Sequence, residues 1–160
     1  LRLKKLSSLV TKVAMLKRYN LNALSIFGWG FSIWRIKMSG YSANLDDGRE
    51  IYIPNWSAKI QFENLTQACK IFGQDSIITI SALNVPAAML AVMGSDDGEL
   101  STKFMFHVVQ QARMEGDKLT TTSINEMPMI DVVELFTHVL HSQFNDFFVS
   151  GLAKANSPAS

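Results

Sequence analysis

Large apolar side chains alternate with small ones at Phe27, Trp29, Phe31 and Ile33, with Gly28, Gly30 and Ser32 between them. A period of two predicts a strand with one large-residue face. The strand-like pattern runs on through Trp34, Arg35, Ile36 and Lys37, and Ser39-Gly40 punctuates it. Asn44-Leu45-Asp46-Asp47-Gly48 predicts a tight turn, because Asp-Gly supplies the positive φ that hairpins need. Glu50 to Pro54 is then the returning strand, closed by a proline with no N–H to give to a ladder. Ahead of the hairpin, Leu3, Leu6, Leu9, Val10, Val13 and Leu16 recur at spacings of three and four. That period predicts an amphipathic helix over 2–19.

After the hairpin, Phe62, Leu65, Ala68, Cys69 and Phe72 share one helix face, and Gly73 is its natural stop. Ile77, Ile78 and Ile80 predict a buried strand over 76–83, since β-branched side chains suit a pleat. A break at Asn84-Val85-Pro86 leads into a short apolar helix through Met93. Gly94 to Gly98 is a loop. Ser101 is expected to cap the next helix, which runs to about 115 with Phe104, Met105, Val108, Val109 and Ala112 on one face and Gly116 at its end. Residues 119–123 read as a strand or an extended linker. Ser123-Ile124-Asn125-Glu126 has capping-box form and opens a helix to about 149. Its apolar stripe holds Met129, Val132, Val133, Phe136, Val139, Leu140, Phe144, Phe147 and Phe148. The expected fold is α+β: one domain over 1–150, with a small antiparallel sheet centred on 25–56, several helices, and a flexible tail over 151–160.

Composition agrees with a globular chain, at 48% hydrophobic and 18% charged. Charge changes the picture more. The net +1 conceals a basic first part. Arg2, Lys4, Lys5, Lys12, Lys17, Arg18, Arg35 and Lys37 precede the first acid, Asp46, while acids outnumber bases in the remainder. Such a segment attracts an anionic partner, nucleic acid or an acidic protein face, unless it docks on the acidic part of its own fold. The single Cys69 excludes an intramolecular disulfide and fits a reducing, cytoplasmic setting. The uncharged run 76–95 contains Ser76, Thr79, Ser81, Asn84 and Pro86 between flanking aspartates, which argues against a membrane span. The apolar stretch after the basic helix lacks the small-residue cleavage site of a secretory signal.

Two stretches carry candidate chemistry. Gly28-Trp29-Gly30-Phe31 is similar to the aromatic strand pattern of RNA-binding domains. Phe27 replaces its basic residue, Ser32 its valine, and Trp34 its last aromatic. The match is short and does not establish membership of that family. Such rings stack on bases, although aromatic strands more commonly pack into a core. A nucleic-acid surface here would use Lys4, Lys5, Lys12, Lys17, Arg18, Trp29, Phe31, Trp34, Arg35 and Lys37. The second stretch is the polar row Asp131, Glu134, His138, His141 and Asn145 on the last helix. Glu134, His138 and His141 are weak candidates for a divalent metal, but the ordinary use of such a row is a solvated helix face. No dinucleotide fingerprint, calcium loop or nucleophile elbow occurs, and no cofactor is expected.

Three functions follow, in this order. The first is a nonenzymatic nucleic-acid-binding or regulatory protein. The second is a protein-interaction or assembly subunit, with a homodimer contact through the C-terminal helix. The third is a small metal-dependent enzyme using the Glu/His row.

Overall fold

The computed structural model describes residues 39–155. β1 (Gly40–Asn44) and β2 (Glu50–Pro54) form the antiparallel hairpin expected from the Asp-Gly turn, with Tyr41 opposite Ile53 and Ala43 opposite Ile51. Leu45 accepts from the Gly48 N–H at 2.8 Å, and Gly48 takes φ 90°, a conformation open to glycine. Ile51 and Ile53 point into the core while Tyr52 faces the other way. A Cβ on Gly40 would lie 2.5 Å from the Tyr52 hydroxyl, so glycine lets that ring cross the neighbouring strand.

The helices are set by local caps and burial. α1 (Ala58–Phe72) is capped by Ser57 and ends at Gly73, at φ 83°. α2 (Gln74–Ser81) follows at once, which corrects the strand expected over 76–83. Ile77, Ile80 and Ser81 are buried together at spacings of three and four, a helical face. The helix penalty of β-branched residues, at most about 0.7 kcal/mol each, is small beside burying two isoleucines against the last helix. α3 (Val85–Met93) begins where the Asn84 side chain accepts the Ala87 N–H at 2.9 Å, with Pro86 in the first turn.

α4 (Gly98–Val109) is capped by Asp97, which accepts the Leu100 N–H at 2.9 Å. Ser101, the expected cap, is instead buried inside the first turn. The helix also stops earlier than expected. β3 (Arg113–Met114) and β4 (Asp117–Lys118) form a second small hairpin, and β3 pairs with β2. Glu115 and Gly116 turn it with φ 52° and 86°, the positive pair that a two-residue turn requires. The result is a four-stranded antiparallel sheet in the order β1-β2-β3-β4. α5 (Thr121–Asn125) replaces the extended stretch expected there. Its capping box joins Thr120 and Ser123, three residues before the expected one.

α6 (Met129–Ala155) is 27 residues long and continues past the expected end near 149. Its middle is the centre of the core. Phe136 lies 5.8 Å from Phe72 and 6.4 Å from Phe104, ring centre to centre, which joins α1, α4 and α6. The observed architecture is therefore the expected α+β class. Met129 and Phe147, which the periodicity placed in the apolar stripe, are exposed. Among the described residues, no helix is long and apolar enough to cross a membrane. The basic helix over 2–19, the aromatic strand at 27–33 and all the nucleic-acid candidates from Lys4 to Lys37 lie outside the described residues, as does the tail beyond 155.

Candidate interaction groove and a polar clasp

The Glu/His row of α6 is covered rather than solvated, which corrects the expectation of an open polar face. Burial follows from the hairpin lying across it. Glu134 is 6% exposed and its Oε1 accepts the Asp46 N–H at 2.7 Å. Desolvation raises its carboxyl above the ordinary range; the Asp46 N–H opposes that shift, and the nearby Asp46, Asp131 and Asp47 charges add to it. His138 Nδ1 and the Tyr41 hydroxyl are 3.1 Å apart. Burial, then the neighbouring His141, hold His138 below its ordinary value, and Asp46 partly offsets them. His141 Nδ1 lies 2.8 Å from the Ser81 carbonyl, to which an N–H there donates. Arg49 bridges Asp47, at 2.5 Å, and Asp131.

Each group in the row therefore has its own partner on a different element: the turn, β1, and the end of α2. Glu134 and His138 approach only to 4.0 Å. Among the described residues, no three His, Cys, Asp or Glu side chains are placed to hold a metal ion. The row acts as a clasp between the hairpin, α2 and α6. Cys69 is half-buried, and burial pushes its thiol up, away from a reactive thiolate.

The other feature is apolar. α3 reads Val-Pro-Ala-Ala-Met-Leu-Ala-Val-Met, a helix with no polar face. Such a helix is normally covered on all sides, yet Leu90 is 70% exposed and Met93 79% exposed. Beside it, α3, α4, α5 and the first turns of α6 enclose an open groove of about 340 Å3. Met89, Met93, Met105, Met127 and Met129 line it, five of the eight methionines in the chain. Met129 is 76% exposed, and Thr102 and Asn125 are the polar lining residues. Methionine is unbranched, polarizable and able to refit different apolar shapes, a property of adaptable binding surfaces. The sequence held two signs of this groove: the methionine density between 89 and 129, and the polar-free α3.

One family profile, described as phage tail assembly chaperone protein, TAC, matches residues 47–155, more than half of the chain. The match runs from the hairpin turn to the end of α6 and contains the whole groove. It begins beyond the basic segment and the aromatic strand. Comparison with curated proteins and with solved structures found no match.

Proposed function

This chain belongs to the phage tail assembly chaperone family, and from that premise we propose that its methionine-lined groove holds an apolar segment of a tail protein during assembly. The reading is the assembly alternative drawn from the sequence, and the family fits it better than nucleic-acid binding. The observation that carries it is the exposure of Met93, Met129 and Ile130 on the walls of one groove. A folded chain that needed nothing there would cover or replace such side chains, because contiguous apolar patches mark interaction sites.

The energetics suit capture and release. Covering one such side chain contributes about 1.5–3 kcal/mol. Association first costs several kcal/mol in lost motion, of order 4–15. A handful of methionines with Val92 and Ile130 therefore supports reversible binding, and the flexible methionine stems accept more than one sequence. No covalent step is required.

The test is binding of the full chain to the separately expressed tail proteins of the same phage, by isothermal calorimetry, with Met93→Asp/Met129→Asp as the comparison. Both positions are exposed, so the variant should melt at nearly the same temperature. Binding to a tail protein that the double variant abolishes is the expected result. Tight binding that the variant leaves unchanged would remove the groove from the function. A salt series with single-stranded RNA and DNA on the same protein decides the nucleic-acid alternative.

A further inference from the structure

We infer that the groove takes its partner as a basic amphipathic α-helix; this rests on the groove reading above and adds the conformation and charge of the occupant. The conformation follows from what the walls are made of. The walls are helices except at Met127, in the short connection from α5 to α6, whose N–H is given to the Ile124 carbonyl at 3.1 Å. Nearly all backbone donors and acceptors there are therefore already used, apart from those at helix ends. The lining side chains are apolar except Thr102 and Asn125. An extended segment laid into this groove would bring a row of unpaired N–H and C=O groups out of water, at about 1–3 kcal/mol each. The sheet edges that can satisfy such groups belong to other elements. A helix satisfies its own backbone and offers one apolar face, the helix-in-groove mode of recognition.

The charge follows from the rim. Glu126 stands between the lining residues Asn125 and Met127 and is exposed. Asp96, also exposed, follows closely on Met93 at the end of α3. Asp131, beside Ile130, is paired with Arg49. Among the described residues, Lys103 is the one Lys or Arg next in sequence to a lining residue, and Glu99 holds its Nζ at 2.6 Å. His107 follows Phe106. Among the described residues, then, Glu126 and Asp96 beside the lining make no ion pair, while the charge of Lys103 is met by Glu99. Lysines or arginines flanking the apolar face of the incoming helix would meet Glu126 and Asp96, and acids there would be repelled.

The experiment uses the full chain and three labelled peptides of about 18 residues, five helical turns, read by fluorescence anisotropy. One has a leucine face flanked by lysines, the second replaces the lysines by glutamines, and the third keeps the lysines but breaks the leucine face with aspartates. The expected result is that the lysine peptide binds about five-fold tighter than the glutamine peptide at low salt. Glu126→Lys/Asp96→Lys should erase that preference, and the broken-face peptide should not bind. Equal binding of the lysine and glutamine peptides would overturn the charge inference and leave the groove reading standing. Binding that persists in Met93→Asp/Met129→Asp would place the helix elsewhere and overturn the inference. Binding of neither intact-face peptide would overturn it too, while a tail protein still captured through Met93 and Met129 would keep the groove reading alive.

Discussion

Glu134 and Asp46 stand 88 positions apart in the chain and meet at 2.7 Å, carboxylate oxygen to backbone N–H. The contact ties the hairpin turn to the second turn of α6. It is part-buried: Glu134 is covered, while Asp46 lies in an exposed turn. Glu134→Ala removes the acceptor of the Asp46 N–H, which water can replace in the exposed turn, and the expected cost is about 0.5–1.5 kcal/mol. Urea denaturation measures it. A midpoint equal to that of the parent chain would show that the clasp contributes nothing to stability.

His138 makes stability depend on pH. Its folded value is depressed below 6.5, so the unfolded chain binds more protons in the window just below 6.5. Stability therefore falls as pH drops through that window. Glu134 has the opposite sign. Its folded value is raised above 4.5, so the folded chain binds more protons there, and that contribution is lost as pH rises through its folded value. Urea midpoints between about pH 5.5 and 7.5 should fall toward acid, and His138→Gln should flatten that slope. An unchanged slope in the variant would assign it to other groups.

Phe136 and Phe147 share the apolar stripe in the sequence and differ in the fold. Phe136 is fully buried between Phe72 and Phe104. Phe136→Ala should cost about 3–5 kcal/mol. Phe147 is exposed, so Phe147→Ala should change stability by less than about 0.5 kcal/mol. Thermal melts of the two variants side by side separate core from surface, and equal effects would refute the packing described.

Exposure also orders the methionines by reactivity. A peroxide transfers one oxygen to the thioether and leaves as water, making a polar sulfoxide. Met93 and Met129 should react first and the buried Met105 last, as read by peptide mass mapping. Capture of the tail protein should weaken while the far-ultraviolet circular dichroism stays unchanged. Binding that survives oxidation of both exposed methionines would count against the groove.

Much of this was legible in the residues, and where it was not, the reasons are particular. Asp47-Gly48 announced its turn because positive φ is a local demand. Asn84 with Pro86, and Gly73 after Phe72, marked helix ends for the same reason. Ile77-Ile78-Thr79-Ile80 misled, because propensity favours a pleat there and the choice was made by a partner, α6, that the local sequence does not mention. Lys118 and Arg113 sit in two-residue strands too short to show alternation. They exist because β2 has an edge that needs hydrogen bonds. The Glu/His row gave the right spacing and the wrong surroundings: periodicity says which residues share a face, and not what covers it.

By itself the sequence determined the α+β class, the first hairpin, the stop at Gly73, the short helix from Asn84 to Met93, and the presence of the long helix at the end. These depend on contacts within a few residues, on capping atoms, φ preferences and a repeating apolar period. Tertiary structure alone decided that Glu134 is buried and His138 half-buried, that β3 joins β2, and that Met93 and Met129 stay open around a groove. Those outcomes depend on residues tens of positions apart competing for the same surface. A helix without a polar face carries no local sign of which side will be left uncovered.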